Sequence, residues 1–339
     1  MSGTSLDGLD ICLAAFAENN GKAEYEILHA GTISYQPEHI QMLKKAETCS
    51  GAELMQLHHE YGVFLGKQVL HFLNEFPVKP DAIASHGHTI FHRPDAGYTF
   101  QLGSGASLAA TSGITTICDF RSTDVALGGQ GAPLVPAGDE WLFPDYDACL
   151  NIGGFANISF RENQTRIAFD ICPVNYVLNA LCKRIHKDFD DQGLTASSGK
   201  SIPALLEILN TLPFYELPYP KSLGREWTEN NIFPLLEDHF PVQDLLRTFT
   251  EHAAMQIAKY IPESGKTLVT GGGAWNRFLI HRIESHTTGK LVIPDARLVN
   301  FKEALIFAFL GYLRLNDRIN VLSSVTGALK DSCSGAVYQ

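Results

Sequence analysis

The sequence contains no run of basic residues and no long apolar segment. Its 26 lysine and arginine residues are outnumbered by 37 acidic ones, and the formal net charge is −11 over 339 residues. An acidic chain without clustered cations is a poor match for nucleic acid or an anionic membrane. The longest strongly apolar stretch, 304–313, is about half the length that crosses a bilayer, and no secretory signal pattern precedes residue 20. We therefore expect a cytoplasmic protein with small-molecule partners.

Cysteines are few and follow no recognisable spacing. The seven of them contain no Cys-x-x-Cys pair and stand at positions 12, 49, 118, 149, 172, 182 and 333. An odd, scattered set predicts reduced and mostly buried thiols. Linkers, short repeats and low-complexity segments are also absent. With 45% hydrophobic residues, the chain can bury a large core and is expected to form two domains.

Glycine, by contrast, is concentrated in three loops, the first of which is Met1-Ser-Gly-Thr-Ser-Leu-Asp-Gly-Leu-Asp10. Gly3 and Gly8 allow the backbone to approach an anion closely, and hydroxyls between them can donate hydrogen bonds to it. Asp7 and Asp10 would repel bare phosphate, so they suit a phosphate loop only with a divalent cation present. The alternative is an ordinary surface hairpin turn, in which the same residue types are common.

The other two loops lie in the middle and near the end of the chain. Leu150-Asn-Ile-Gly-Gly-Phe-Ala-Asn-Ile-Ser159 predicts two strands joined by a Gly-Gly turn, and Thr267-Leu-Val-Thr-Gly-Gly-Gly-Ala-Trp-Asn276 predicts a strand that runs through three glycines into a helix. Each loop alone is equally well explained as a tight turn with close backbone packing. In this order, however, the three loops resemble the nucleotide site of the sugar kinase, hsp70 and actin superfamily, in which two similar lobes clamp ATP.

Further motifs indicate a narrower resemblance. They are Ser85-His-Gly-His-Thr-Ile-Phe-His-Arg-Pro94, Thr99-Phe-Gln-Leu-Gly103, Asp119-Phe-Arg121, Asp124-Val-Ala-Leu-Gly-Gly-Gln-Gly-Ala-Pro-Leu-Val-Pro136, Phe169-Asp170 with Asn175, Pro220-Lys-Ser-Leu-Gly-Arg-Glu226 and Glu303-Ala304. From Met1 to about Ala304 the chain resembles the anhydro-N-acetylmuramic acid kinase family, whose enzymes act in the recycling of the bacterial cell wall.

The resemblance implies a single reaction that uses ATP and Mg²⁺. Water attacks C1 of a muramic acid bridged between C1 and O6, the bridge opens, and O6 takes the γ-phosphate, giving N-acetylmuramic acid 6-phosphate and ADP. One carboxylate can suffice because phosphorus captures the departing O6, whereas a glycosidase usually needs two. Two other functions stay open: a kinase for an ordinary hydroxyl or carboxylate acceptor, and a non-catalytic ATP-gated sensor of wall fragments.

The resemblance assigns the catalytic role to Asp170. This residue follows the apolar run 167–169 and is expected at the carboxyl end of a strand, where ligand clefts open in α/β sheets. The alternative role is N-capping of the helix that follows. Asp7 is expected to contact Mg²⁺ through water, with turn stabilisation as its alternative.

The remaining implied site residues fall into two groups. The ATP-binding group consists of Ser2, Gly3, Thr4, Ser5, Leu6, Asp7, Gly8, Asn151, Gly153, Gly154, Asn157, Gly271, Gly272, Gly273 and Asn276. The sugar-binding group consists of His86, His88, Thr89, Arg93, Arg121, Asp124, Asn175 and Glu303. Either arginine could bind the lactyl carboxylate bidentately, and a surface salt bridge or loop clamp is the alternative for both. The spacing of His86, His88 and His92 matches no metal signature.

Three features depart from the family pattern. The turn after Asp170 reads Cys172-Pro-Val-Asn175 instead of Gly-Pro-Gly-Asn, which removes backbone freedom and adds bulk. His88 stands where the family has glutamine. The family also places an apolar strand before the first loop, and without that strand a buried sheet would have a gap. We expect either that the polypeptide extends upstream of Met1 or that the hairpin survives with its first strand absent.

The resemblance implies a two-lobed, actin-like ATPase fold of the α/β class, with mixed sheets flanked by helices and an ATP cleft between the lobes; it also suggests a homodimer. The first lobe is expected to contain residues 1–122 and 305–339, and the second lobe residues 123–304. Predicted strands are 11–17, 25–34, 81–85, 115–119, 148–152 and 166–170, and predicted helices are 37–49, 51–76, 175–186, 202–210, 242–260 and 302–315.

Overall fold

The computed structural model describes residues 1–3, 6 and 8–339. Thr4, Ser5 and Asp7 of the predicted phosphate loop lie outside the described residues. The chain divides into two compact units: unit 1 contains Met1–Leu142 and Phe301–Gln339, and unit 2 contains Phe143–Asn300. The predicted α/β class, with mixed sheets flanked by helices, is confirmed.

Unit 1 is built from short sheets and helices. Its elements are β1 (Gly8–Asn19), β2 (Lys22–Ser34), α1 (Pro37–Lys45), α2 (Gly51–Leu73), β3 (Ile83–Ala84), β4 (His88–Arg93), β5 (Tyr98–Leu102), α3 (Gly105–Ser112), β6 (Thr116–Cys118), α4 (Ser122–Ala126) and α5 (Val135–Leu142). β1 pairs with β2 and β4 with β5 as antiparallel hairpins. The core of this unit centres on the buried side chains of Leu43, Tyr61, Leu65, Leu102 and Leu108.

Unit 2 is organised around one sheet. Its elements are β7 (Ala148–Ile152), β8 (Phe155–Glu162), β9 (Thr165–Pro173), α6 (Asn175–Lys183), α7 (Leu194–Ser198), α8 (Pro203–Asn210), α9 (Arg225–Asn231), α10 (Val242–Ala258), β10 (Lys266–Thr270), α11 (Arg277–Glu284) and β11 (Lys290–Val292). The strand order is β11-β10-β7-β8-β9, in which the first three strands are parallel and the last pairings antiparallel. Such a mixed sheet has its carboxyl-end loops gathered at one edge, where α/β proteins place their ligands.

The chain returns to unit 1 through one long helix. This helix, α12 (Ala296–Leu315), is followed by α13 (Ser323–Thr326) and by β12 (Ala336–Tyr338), which joins the sheet β12-β6-β3. The helix was predicted to start at Lys302, six residues too late. Asp295 explains the earlier start, because its Oδ1 accepts hydrogen bonds from the backbone N–H groups of Arg297 and Leu298 and so caps the first turn.

Most predicted elements are present, with shifted ends. The α2 helix begins where Ser50 and Glu53 form a capping box, with the Glu53 N–H 3.3 Å from Ser50 Oγ. The β4–β5 hairpin was not predicted, although the turn sequence Pro94-Asp-Ala-Gly97 between the two strands could have indicated it.

The unit boundaries differ from the predicted lobes for residues 123–142 and 301–304, which belong to unit 1. Contacts between segments far apart in sequence explain the difference. Thr326 Oγ1 donates to Asp124 Oδ1 at 2.7 Å, and Lys302 Nζ lies 2.6 Å from Asp139 Oδ1 in a buried ion pair. These contacts bind helices α4 and α5 to the segments that follow Phe301.

The described helices include none with the combined length and apolarity that a membrane crossing requires. All seven cysteines are free. Cys149, Cys172 and Cys182 are buried, whereas the other four are half-buried, so the prediction of mostly buried thiols was only partly right.

Candidate active site

In unit 2, two of the three glycine loops lie against each other. Gly153 and Gly154 form the turn of the β7–β8 hairpin, which is tied to the start of α6 by the Val174 N–H, 2.8 Å from the Gly154 carbonyl oxygen. Gly271, at the end of β10, has a φ of 84°. A Cβ atom there would come within 2.6 Å of Asn151 Oδ1, so only glycine allows this approach. The predicted convergence therefore holds for these two loops, and its extension to the first loop stays a prediction.

A row of polar side chains crosses the same sheet. Thr270, Asn151, Asn157 and Asp170 occupy directly opposite positions in β10, β7, β8 and β9. Directly opposite residues of neighbouring strands place their side chains on one face. The predicted catalytic aspartate and two predicted ATP-binding asparagines thus share a face of the sheet. Thr270 was not predicted, although its position at the end of the strand before the triple glycine could have indicated it.

Asp170 lies inside β9 and not at its end, because the strand continues to Pro173. A β-bulge follows it directly: Asn157 pairs with Asp170 and Ala156 with Cys172, so Ile171 is the extra residue. Bulges next to active sites re-aim side chains. Helix α6 has Val174 at its N-cap position with no side-chain cap, so the capping role considered for Asp170 is wrong.

The surroundings of the Asp170 carboxylate suit a base. Its Oδ2 accepts a hydrogen bond from the Leu223 N–H at 2.9 Å, and its own N–H donates to the Lys221 carbonyl oxygen at 2.9 Å. Within residues 1–3, 6 and 8–339, no second donor contacts the carboxylate. Burial raises the pKa of Asp170, and the Leu223 hydrogen bond partly opposes this rise. The segment 220–226 was noticed in the sequence, but its role as the partner of Asp170 was missed.

In unit 1, Arg121 clamps a loop. Its Nε and Nη2 lie 3.1 and 2.8 Å from His86 Nε2, and its Nη1 donates to the Gly131 carbonyl oxygen at 2.6 Å. Because guanidinium only donates, His86 Nε2 must accept, and His86 Nδ1 carries the hydrogen that reaches the Gly87 carbonyl oxygen at 3.0 Å. Burial, reinforced by the Arg121 charge, holds the pKa of His86 well below its usual value. The loop-clamp alternative for Arg121 is therefore observed.

Arg121 and Glu303 influence each other electrostatically. Burial lowers the pKa of Arg121 to about 10, and the charges of Glu303 and Asp124 oppose the change. Glu303, on α12, has an exposed side chain. Desolvation of its carboxylate by the surrounding protein raises its pKa, and the Arg121 charge is the largest influence that opposes this rise. A half-buried cation near an exposed carboxylate can bind a polar ligand through both charges.

Ser2 and His88 belong to one hydrogen-bonded chain. Tyr35 OH donates to Ser2 Oγ at 2.7 Å, and Ser2 Oγ lies 2.9 Å from His88 Nδ1. Tyr61 OH lies 2.7 Å from Tyr35 OH. Since Tyr35 donates to Ser2, it accepts from Tyr61, whereas the donor between Ser2 Oγ and His88 Nδ1 depends on the tautomer of the His88 ring. Burial lowers the pKa of His88, so this imidazole is neutral and has one N–H donor and one acceptor nitrogen.

Other predicted residues have structural partners. Arg93 forms a two-bond ion pair with exposed Asp95, at 3.1 and 2.9 Å, which is the salt-bridge alternative. Both oxygens of buried Asp124 are engaged, by Thr326 Oγ1 and by the Gly131 N–H, each at 2.7 Å. Asn276 caps α11 through the Leu279 N–H at 3.0 Å. These three side chains are committed to the fold in this structure.

Asn175 and Trp275 lie beside the triple-glycine loop. Asn175 opens α6, and its Nδ2 would be 4.0 Å from a Cβ on Gly272. Trp275, which was not predicted, exposes 43% of its surface while its Nε1 donates to Asn300 Oδ1 at 3.0 Å. The hydrogen bond to Asn300 thus orients the indole, and a large part of the side chain is open to solvent.

Among the described residues, no group of three histidine, cysteine, aspartate or glutamate side chains could hold a metal ion. Asp7, the predicted Mg²⁺ contact, lies outside the described residues.

Comparisons with known proteins give a consistent result. The family model described as "Anhydro-N-acetylmuramic acid kinase" matches residues 1–339. Relatives of that name from Actinobacillus pleuropneumoniae serotype 7 (strain AP76) and Xanthomonas oryzae pv. oryzae (strain MAFF 311018) are each 36% identical; both alignments cover 100% of this chain, and they cover 97% and 96% of the relatives.

Similar solved structures include the activator of the 2-hydroxyisocaproyl-CoA dehydratase from Clostridium difficile with bound ADPNP, at 12% identity, a TM-score of 0.42 and coverage of 87% of this chain and 92% of that one. A ROK family glucokinase from Streptomyces griseus, in complex with glucose and AMPPNP, has 10% identity, a TM-score of 0.37 and coverage of 88% and 97%. TM-scores below 0.5 do not assign a fold, whereas a family match over the whole length does assign a family. The chain belongs to the anhydro-N-acetylmuramic acid kinase family.

Proposed function

We propose that this protein is an ATP-dependent kinase that opens the ring of 1,6-anhydro-N-acetylmuramic acid with water and phosphorylates O6, in peptidoglycan recycling. Family membership over residues 1–339 supports the substrate and the reaction class. The observation that carries the mechanism is Asp170, a carboxylate held on one oxygen by the Leu223 N–H and raised in pKa by burial.

Asp170 acts as the general base. Its carboxylate takes a proton from water while the water oxygen forms a bond to C1, and the C1–O6 bond breaks. O6 then bonds to the γ-phosphorus of ATP as the bond to ADP breaks, so the departing alkoxide is captured without a second carboxylate. A raised pKa favours this role because a base works best when its pKa approaches the working pH.

The two glycine loops of unit 2 hold the nucleotide. The Gly153-Gly154 turn has room for an anion, because even an added Cβ on these residues would meet nothing closer than 3.6 and 3.8 Å. The triple-glycine loop offers backbone to the adenosine, and the exposed indole of Trp275, oriented by Asn300, offers a surface on which the base stacks. When bound, Mg²⁺ would neutralise charge on the transferring phosphate, and Asp7 is the residue proposed to contact it through water.

In unit 1, the residues proposed to contact the sugar are His88, Thr89, Arg121 and Glu303. The neutral His88 ring can donate one hydrogen bond and accept another, and Glu303 is exposed near half-buried Arg121. For the lactyl carboxylate we favour Arg121 over Arg93, because the Arg93 charge is paired with Asp95, whereas the hydrogen bonds of Arg121 go to neutral groups, His86 and the Gly131 carbonyl, some of which it would exchange for the ligand. We also propose a homodimeric state, which the molecular mass of the protein in solution would test. A cytoplasmic location is a further proposal, which cell fractionation would test.

The test of this function is a reaction in ¹⁸O-labelled water with ATP, Mg²⁺ and the anhydro-sugar, followed by mass spectrometry. Label on the C1 hydroxyl together with phosphate on O6 is expected. Phosphorylation without label uptake would indicate an ordinary hydroxyl or carboxylate kinase. Absence of any product, with nucleotide still bound, would indicate a sensor.

A further inference from the structure

Asp170 is held from outside the sheet by one irregular segment of unit 2. Residues 217–224 connect a short 3-10 turn, Pro213–Glu216, to helix α9 without forming a helix or a strand. The segment passes the outer edge of β9, which is the last strand of its sheet. There the Asp170 N–H donates to the Lys221 carbonyl oxygen, and the Leu223 N–H donates to Asp170 Oδ2, both at 2.9 Å. Because both partners belong to one short stretch, the position of that stretch sets the orientation of the carboxylate.

The Lys221 side chain ties this stretch to two aromatic residues. Its Nζ donates to the Phe214 carbonyl oxygen at 3.2 Å. The same Nζ lies 4.7 Å from the centroid of the Phe214 ring and 5.7 Å from the centroid of the Tyr260 ring. A cation within about 6 Å of an aromatic centroid is attracted to the ring. Burial and the charge of Lys259 lower the pKa of Lys221, and the charge of Glu216 opposes this change. The ammonium is therefore held by one carbonyl oxygen and two rings.

Both partners of the Lys221 ammonium are fixed by packing. Phe214 is buried in the main hydrophobic core of unit 2. Tyr260 packs against the same core, and its ring contacts the ring of Phe169, the residue before Asp170, with centroids 4.8 Å apart. The cation thus joins the stretch that bonds to Asp170 to side chains that cannot move without disturbing the core.

Tyr219 holds the same segment at an earlier point. Its ring stacks on Phe169 with centroids 4.8 Å apart and planes 7° apart, and its OH donates to Glu162 Oε1 at 2.8 Å. This contact precedes the two residues that bond to Asp170. Within the stretch 221–223 itself, the middle residue is exposed and the last is only half-buried. Lys221 therefore makes the directional side-chain contact that fixes this stretch.

We propose that Lys221 is a positioning residue for Asp170: its ammonium fixes residues 221–223 and so orients the carboxylate through the Leu223 N–H. This inference rests on the proposed function, in which Asp170 is the general base. Lys221 acts through the main chain and takes no part in bond making. Without the ammonium, the stretch moves away from Asp170 for part of the time, and the base is misplaced relative to water and C1. A misplacement of about 1 Å can cost roughly 100-fold in rate.

The first test measures the segment in the absence of any substrate. Lys221→Met keeps an apolar stem without charge, Lys221→Arg keeps a cation that stacks on aromatic rings, and Lys187→Met changes an exposed lysine of the same unit. Amide hydrogen exchange at Leu223 and Asp170 is expected to be at least tenfold faster in Lys221→Met and unchanged in the other two variants. The Val174 N–H, which is bonded elsewhere in the unit, should exchange at one rate in every form. Equal exchange at Leu223 in Lys221→Met and in the unmodified protein would overturn the proposal.

The second test is kinetic. In Lys221→Met we expect kcat to fall about tenfold or more, while the KM values for ATP and the sugar change little, because the base is disturbed and the binding sites are not. The acid limb of the kcat/KM profile should move to higher pH, since a weaker hydrogen bond from the Leu223 N–H raises the pKa of Asp170. Lys221→Arg should restore both the rate and the position of the limb.

Three other outcomes distinguish this inference from its alternatives. A shifted acid limb with unchanged exchange at Leu223 would assign the effect to the Lys221 charge alone and contradict a positioning role. A loss of rate that Lys221→Arg does not restore would also contradict it, because the cation would then not be the group that matters. If the unmodified protein forms no product in labelled water, the proposed function fails, and the exchange comparison still decides whether Lys221 holds the segment.

Discussion

Asp170 has the two properties that a general base needs: a carboxylate oxygen without a hydrogen-bond donor among the described residues, and a pKa raised by burial. Replacement of Asp170 by asparagine keeps the size of the side chain and an oxygen for the Leu223 N–H, but it removes the base. We expect Asp170→Asn to lower turnover about 10²- to 10⁴-fold, with an unchanged Tm and normal binding of ATP and sugar by calorimetry.

The control for this variant is Asp188→Asn, which changes an exposed aspartate of the same unit. It should retain full turnover. A correctly folded Asp170→Asn enzyme that binds both ligands and works at the normal rate would show that the base lies elsewhere.

The Leu223 N–H sets how far the Asp170 pKa rises. A hydrogen bond to the charged form lowers a carboxyl pKa, so its removal raises that pKa further. The base must be ionised, so activity falls as the pH drops through this pKa. We expect Leu223→Pro, which has no N–H, to move the acid limb of the kcat/KM profile to higher pH.

Leu223→Ala keeps the N–H and is the matched control, with an acid limb expected to stay in place. Identical limbs in the two variants, both of them folded by circular dichroism, would mean that this hydrogen bond does not tune the base.

At the scale of elements, the β7–β8 turn can be altered in a way that tests nucleotide binding without a large effect on folding. A methyl group on Gly153 would meet protein atoms only at ordinary contact distances, so Gly153→Ala should leave the Tm within about 2 °C of its original value, since surface changes of this kind alter stability little. The same methyl group would occupy the space proposed for phosphate. We expect the KM for ATP to rise at least tenfold while the KM for the sugar changes little.

Gly224→Ala is a suitable control, because an added Cβ there has no atom within 4 Å. Its KM for ATP should stay unchanged. A normal KM for ATP in the Gly153→Ala enzyme would show that this hairpin does not contact the nucleotide.

Elements defined by local patterns could be predicted from the sequence, and elements defined by distant contacts could not. The capping box at Ser50 and the helical spacing of Leu54, Leu57, Tyr61 and Leu65 are local, and α2 was predicted almost to its ends. The partner of Asp170, by contrast, lies 53 residues later in the chain, and no local pattern shows that the Leu223 N–H reaches its carboxylate.

The same reason explains the unit boundary and the polar row. Thr326 and Asp124 are separated by 202 positions, so their hydrogen bond could not be anticipated. The row from Thr270 to Asp170 depends on the register of four strands. Its members were individually visible in the sequence, but their alignment arises only when the sheet forms.

At the scale of the whole molecule, each unit contains a buried neutral histidine. His252 in unit 2 contacts Asn210 Oδ1 and Tyr215 OH, and burial lowers its pKa to about 3. The unfolded chain takes up a proton near pH 6.5, whereas the folded protein does not until far lower pH. Stability is therefore complete above pH 6.5 and falls below it, by about 1.4 kcal/mol per pH unit for each such histidine.

Urea unfolding between pH 7.5 and 5 should show this loss before most carboxylates titrate. His252→Gln should reduce the dependence of the free energy of unfolding on pH by the contribution of one histidine. The variant will be less stable at pH 7.5, because a buried hydrogen-bonded group has changed. An equally steep decline in the variant would assign the acid sensitivity to other groups.

The hydrogen bond between Ser2 and His88 joins the proposed phosphate loop to the proposed sugar loop inside unit 1. A nucleotide that draws the Ser2 hydroxyl towards phosphate breaks its hydrogen bond with His88 Nδ1, and a sugar that turns His88 breaks the same hydrogen bond. The two substrates are then thermodynamically linked, and such linkage is reciprocal: ATP must change the sugar's dissociation constant by the same factor by which the sugar changes that of ATP.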